Sequence, residues 1–473
     1  MTGLARVLVV LFLIFPYLIF IAKIKVWDLP AWDELGPVLS FTVLQAALSG
    51  VFSLLGGFAI ALGLARARFK LIPWMLLPSF VPSLFVVISV MNVIKPFPFG
   101  LWGTVLVHTF TLSGLVGAVL MTKLRERAGG MIELAYVEGA SRFAIISRLV
   151  VPVMKSDLMN LFILVFVVSF GSFSIPLLTG AVGAITFEVL TYQKIIIEGN
   201  FAQAFGLATT QLLITGAIVI SYSPQTSLRS RRFANLESIA WLPGNIYGTI
   251  LVLISVFGLF LISPSIPAEL WSVLPGRIFG SAMIGFGAGL VSFIFLISIC
   301  FGLPHFYFER FLLSYVSPSI PIIGFGFLLL GVSNILFAPL AIIFGVVMSV
   351  LPGLYRLLLA DDVKSLRNQI EVARTMGASW NQIFSFITFP QCVRSISILS
   401  GFCAFWAVGD FGLSRLVANR TISVAMLVDD LIGSYRLGAA SVLVWLLLAI
   451  GGSLFLFFQR LGSRLSKRAQ LLL

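Results

Sequence analysis

Glu133-Leu-Ala-Tyr-Val-Glu-Gly139-Ala-Ser141 and Glu371-Val-Ala-Arg-Thr-Met-Gly377-Ala-Ser379 are one pattern written twice in this chain. Thirteen residues beyond each glycine stands a proline, Pro152 and Pro390. Glutamate, glycine, the Ala-Ser pair and proline all recur at an offset of 238 residues. The register extends outward: Gly171 and Phe173 pair with Gly409 and Phe411 at 238, and Pro82 with Pro321 at 239. One offset shared by so many residue types marks an internal duplication, which has to be recognised before any fold is read.

Around the two copies the chain is apolar. Its 473 residues are 59% hydrophobic and 10% charged, with a mean hydropathy of +1.09. A water-soluble domain carries roughly 25% charged residues to wet its surface, so most of this chain cannot face water. Its 44 phenylalanines suit lipid-facing and interhelical packing. A span needs about 20 mostly apolar residues to cross roughly 30 Å of hydrocarbon. Such runs fall near 4–24, 38–64, 72–94, 101–121, 158–179 and 203–222, then near 243–263, 278–303, 316–334, 337–359, 394–410 and 437–458. The expected fold is an all-α integral membrane protein with about twelve transmembrane helices. The first run has no small-x-small cleavage site and runs into Lys23 and Lys25, so it reads as a span and not a signal peptide.

In both copies the motif follows the fourth apolar run. The two halves therefore enter the membrane in the same sense, as two parallel six-helix repeats. The division falls at 1–236, with a polar loop at 122–156, and 237–473, with a polar loop at 360–393. A basic, polar linker from Ser223 to Trp241 joins them. An even number of spans puts both termini on one side. That side then holds 23 of the 31 Lys and Arg residues, among them six between 123 and 155 and Arg460, Arg464, Lys467 and Arg468. The positive-inside rule makes it cytoplasmic.

The net charge of +13 does not indicate nucleic acid, because the basic residues recur in short segments between apolar runs. Cys300, Cys392 and Cys403 have no metal-ligand spacing and read as buried thiols. Only His108 and His305 could add histidine ligands, so no metal centre is expected. No Gly-Lys dipeptide occurs, and a phosphate-binding loop needs one before Ser or Thr. The small residues Ser281, Gly285 and Gly289, four apart, form a ridge for close helix packing. Pro78, Pro82, Pro318 and Pro321 sit at or within span starts, where they kink helices.

The doubled Glu-x-Ala-x-x-x-Gly with its distant Pro resembles the cytoplasmic loop of permease subunits in bacterial binding-protein-dependent ABC importers. Its two copies in one chain resemble the fused permeases of thiamine and ferric-iron importers. The family's second Ala is Leu134 and Val372 here, and the Leu before the closing Pro is Val151 and Phe389, all still apolar. The resemblance implies a short helix that enters a groove on a separate ATPase subunit, which is helix-in-groove recognition. It assigns that docking to Glu133, Ala135, Gly139, Ala140, Ser141 and Pro152, and to Glu371, Ala373, Gly377, Ala378, Ser379 and Pro390. The glycines allow a sharp turn and the Ala-Ser pairs a close approach. The prolines suit the start of the next helix. The glutamates either pair with Arg142 or Arg374 or simply shape the loop. The implied partners are two copies of an ABC ATPase, which hold ATP and Mg, and a periplasmic or lipid-anchored solute-binding protein. The implied location is the bacterial inner membrane, and this chain itself has no cofactor and no enzyme activity.

Thr186-Phe-Glu-Val-Leu-Thr-Tyr-Gln193 and Ile432-Gly-Ser-Tyr-Arg436 resemble thiamine-transport permeases more than iron ones. Thiamine or a derivative is the expected solute, with ferric iron or another solute as alternatives. His108, Phe170, Phe173, Asp410 and Phe411 are candidate pathway residues, since aromatic faces and a carboxylate ease the passage of an aromatic cation. Asp410 has an equal alternative as a helix cap, and Glu188 and Tyr192 are expected in an external loop. The rival class is a secondary transporter, which would need paired ionisable groups at midspan.

Overall fold

The computed structural model describes residues 2–24, 26–65, 71–180, 184–221, 236–258, 267–302, 312, 318–330, 337–355, 359–418, 421–434 and 436–471. Arg66, Arg68 and Lys70, the linker through residue 235, His305, Arg310 and Tyr435 lie outside them. Among the described residues every regular element is a helix. In chain order these are α1 (Thr2–Ile24), α2 (Trp32–Leu64), α3 (Ile72–Phe80), α4 (Ser83–Val93), α5 (Leu101–Arg127), α6 (Gly129–Val137), α7 (Arg142–Ala144), α8 (Val151–Phe170), α9 (Ser174–Thr179), α10 (Phe187–Ile196) and α11 (Phe201–Ser221). There follow α12 (Leu242–Val252), α13 (Leu270–Gly302), α14 (Ile320–Leu329), α15 (Ala338–Leu354), α16 (Ala360–Thr375), α17 (Trp380–Ile383), α18 (Phe389–Val408), α19 (Gly412–Val417), α20 (Val424–Gly433) and α21 (Leu437–Leu471).

Eight helical stretches are long and apolar enough to cross a membrane, and four shorter apolar helices accompany them. Each expected span falls on one of these elements, but several differ in shape. The run near 72–94 is two helices, because Pro82 has no N–H and holds Val81 extended at ψ 139°. The run near 158–179 breaks at Gly171 into α8 and the short α9. The run near 316–334 is described as helix only over α14.

The duplication is visible in the elements themselves. Helices α2 and α13 have 33 residues each and start 238 apart, at Trp32 and Leu270. Helices α8 and α18 have 20 residues each, and α9 and α19 have six each, all at the same offset. A hydroxyl on the long helix also recurs: Thr42 accepts from the Phe187 amide at 3.0 Å, and Ser281 from the Val424 amide at 2.8 Å.

The chain separates into two compact units that cut across the sequence halves. One comprises 32–189 and 221–263. In it α2 packs along α5, α8 and α12, and a Cβ on Gly57 would lie 2.4 Å from Val116. The other comprises 1–31, 190–220 and 264–473. In it α1 lies against α13 and α14, with Phe12 stacked on Phe295 at 3.9 Å and Phe20 on Phe205 at 5.4 Å. In the ridge of Ser281, Gly285 and Gly289, the two glycines seat α13 on α18 and α21 through Val408, Ala404 and Phe458, and Ser281 meets α20 at Val424. The opening helix of each sequence half is thus counted with the middle helices of the other half. All three cysteines are free and buried.

Candidate functional site

The two motif copies adopt one backbone conformation. Gly139 has φ +81° and Gly377 φ +84°, in the left-handed region open to glycine. In the first copy the Ala140 amide donates to the Ala135 carbonyl at 2.9 Å and the Gly139 amide to Tyr136 at 3.0 Å. In the second the Ala378 amide donates to Ala373 and the Gly377 amide to Arg374, both at 3.0 Å. These paired bonds satisfy carbonyls that the ends of α6 and α16 would otherwise leave open. Both bonds run backbone to backbone, so they require the turn at Gly and leave the side chains at the flanking Ala positions free of this duty.

The serine then starts the next helix. Ser141 Oγ accepts from the Ala144 amide at 3.3 Å, and Ser379 Oγ from the Gln382 amide at 3.4 Å. Gln382 returns a bond to the Ser379 amide at 2.8 Å, completing a reciprocal cap. From there each helix runs on without a break. A π turn at Ile145–Val150 or Phe384–Thr388 leads into α8 or α18. Pro152 and Pro390 sit just past these turns, in the first turn of α8 and α18, as expected for proline at a helix start. Each lacks the amide that would bond four residues back, and the π turn covers that residue.

Glu371 pairs with Arg367, Nε to Oε1 at 3.2 Å, and not with Arg374. Both groups are exposed, so the pair contributes little. Arg142 donates to the Ser238 carbonyl at 3.4 Å. Helix α16 buries Val363, Leu366 and Ile370 at helical spacing. Trp380 anchors the second segment by donating to the Phe301 carbonyl at 2.7 Å. Beside exposed charged groups, three apolar side chains stand out into solvent: Val137, Phe143 and Met376 are each 81% exposed. On the second segment Val372, Ala373, Met376 and Ile387, with Asn368 and Gln369, line a groove of about 430 Å³. Exposed apolar side chains around a rigid turn are what a partner's groove takes up.

The candidate pathway residues are placed differently. His108 is buried on α5, with Nε2 unpartnered. Phe170 and Phe173 are packed inside the unit of 32–189, Phe170 stacked on Phe166 at 5.8 Å. Phe411 is buried in the other unit. The Asp410 carboxylate accepts from the Ser414 amide at 3.1 Å and hydroxyl at 3.3 Å, so it caps the first turn of α19. Glu188 and Tyr192 do not lie in a loop: both are on α10, and Glu188 is fully buried. Two charged clusters are marked by no motif in the sequence. Arg415 holds Asp430 at 2.9 Å and Asp429 at 3.7 Å, fastening α19 to α20. Asp157 is buried against Arg127 and Lys123. The signal for Asp157 was an acid at the edge of an apolar run, where a lone charge is costly.

No family model matches the chain. The thiamine transport system permease protein ThiP of Haemophilus influenzae is 23% identical over 483 residues, covering 90% of this chain and 89% of that protein. The putative 2-aminoethylphosphonate transport system permease protein PhnU of Salmonella typhi is 25% identical over 138 residues, 28% of this chain and 48% of that protein. Both motif segments lie more than a tenth of the chain from either end, so the longer match includes both. The multiple apolar helices make this a multi-pass membrane protein, and both relatives are permease proteins of transport systems. Over nine-tenths of its length, and through both copies of the motif, the chain resembles the fused two-half permeases of binding-protein-dependent ABC importers.

Proposed function

We propose that this chain is the membrane permease of an ATP-driven importer for thiamine or a thiamine derivative. The observation that carries the importer reading is the pair of motif segments 238 residues apart: the same glycine turn, a serine that caps the next helix in each, and exposed apolar side chains at the matching positions Leu134 and Val372. Two equal docking elements call for two equal partners, and a pair of ATPase subunits is such a partner. ATP and Mg belong to those subunits. In this reading 1–236 and 237–473 are the two permease halves, both termini are cytoplasmic, and a solute-binding protein docks on the opposite face of the inner membrane. Closure of the ATPases draws the segments together and opens the path outward, and hydrolysis reverses it. Such coupling exists only as a difference in affinity between the two states.

The likeness to ThiP across nine-tenths of the chain supports thiamine over ferric iron. The test is a deletion strain of a host that cannot make thiamine. We expect slow growth at limiting external thiamine that added iron does not rescue. Normal thiamine uptake with ferric uptake lost would move the solute to iron and leave the importer reading in place.

A further inference from the structure

The first motif segment is closed at its base by a buried charge cluster. Arg127, the last residue of α5, places Nη1 2.7 Å from Asp157 Oδ2. Lys123 Nζ, one turn earlier, lies 3.7 Å from Oδ1. The Asp157 side chain is 1% exposed, against 18% for Arg127 and 35% for Lys123. Asp157 stands in the second turn of α8. The chain therefore leaves α5 at the bridge, forms the whole segment, and returns on α8 to the same bridge. A carboxylate this buried is held by its partners, and removing one leaves an uncompensated charge.

The second copy has a brace at the same place, built from different groups. Ser395 is the residue 238 beyond Asp157, and its hydroxyl donates to Asp362 Oδ2. Asp362 lies in the first turn of α16, the helix of that segment. In both copies the second turn of the helix leaving the segment is tied to the stretch entering it. The acid is on the leaving helix in the first copy and on the entering helix in the second. One connection made by two chemistries argues for the connection itself.

We propose that Asp157, held by Arg127 and Lys123, is a positioning residue that braces the first motif segment, so that a push on it moves α5 and α8 together. Ser395 and Asp362 brace the second. The transport consequence rests on the importer reading; the stiffness of the segment does not. Without a brace, a segment joined through a glycine turn swivels and absorbs the push locally.

The test uses the full chain with its ATPase and binding protein in proteoliposomes, and compares wild type, Asp157→Asn, the swap Asp157→Arg with Arg127→Asp, and Ser395→Ala. Two quantities are read: solute taken up per ATP hydrolysed, and hydrogen exchange across residues 129–150. For Asp157→Asn we expect uptake per ATP to fall about tenfold, within the range of typical coupling free energies, while the ATPase stays bound. Exchange across 129–150 rises in the same variant, and the swap recovers both. Unchanged exchange in Asp157→Asn, or a loss that the swap does not recover, overturns the brace. Wild-type vesicles that show no ATP-dependent uptake contradict the importer reading, and exchange still decides the brace. Should Asp157→Asn fail to accumulate, Ser395→Ala reads exchange across 376–390, and no change there overturns the proposal.

Discussion

Gly139 and Gly377 stand 238 residues apart and share one left-handed backbone conformation, φ +81° and +84°. Around each, the neighbouring alanines close the helix end with the same pair of backbone bonds. A left-handed turn copied so closely fixes the angle between two helical pieces. That angle is what a partner's groove would read.

A Cβ added at either glycine would meet nothing within 4 Å. The cost of substitution is therefore conformational and not steric. Gly139→Val or Gly377→Val should cost about 1–3 kcal/mol locally through backbone strain, with the chain still inserted. Asn tolerates this region better, so Gly→Asn should retain most activity. Membrane abundance, ATPase pull-down and uptake, measured together, check this. Normal uptake in both valine variants would contradict the coupling role.

The serine caps should differ in weight. Ser379→Ala loses a reciprocal cap with Gln382, whereas Ser141→Ala loses a single bond at 3.3 Å. Cap loss typically costs about 1 kcal/mol, and we expect the larger effect at Ser379. Protease sensitivity of the two segments in isolated membranes would rank them. A larger effect at Ser141 would count against this view of the caps.

Asp410 discriminates its two readings by one substitution. As a cap it accepts from Ser414, and Asn caps about as well as Asp. Asp410→Asn should then leave uptake near wild type, while Asp410→Ala destabilises by about 0.5–2 kcal/mol. A strong fall in uptake for Asn, with protein level kept, would point to a charge met by the solute.

Much of this fold was legible in the sequence. Apolar run length located the spans, because hydrocarbon thickness sets a minimum. The repeat located both motif segments, and the Gly and Ser in it carry local backbone demands that any reader can recover. What was not legible depends on long-range packing. Nothing local says that α1 is counted with 264–473. Glu371 has a basic residue within helical reach on either side, Arg367 at i−4 and Arg374 at i+3, and spacing alone does not choose between them; in the structure it pairs with Arg367. Phe170, Phe173 and Phe411 looked like pathway residues from their chemistry. All three are buried, which neither places them on a path nor removes them from one.

Topology has its own check. If the twelve-span reading holds, 23 of the 31 basic residues lie on the cytoplasmic side, and a cysteine at Gln193 should react with an impermeant thiol reagent from outside while one at Ser230 should not. Residue 230 lies outside the described residues, so this expectation rests on charge alone. Reversed labelling would place both motif segments on the wrong side for an ATPase.

The most direct measurement is uptake of radiolabelled thiamine into proteoliposomes holding this chain, with its ATPase and ATP inside and binding protein outside. The account predicts accumulation that needs internal ATP and is lost when both motif glycines are replaced by valine. Accumulation that proceeds without the ATPase, driven by an ion gradient alone, would contradict it.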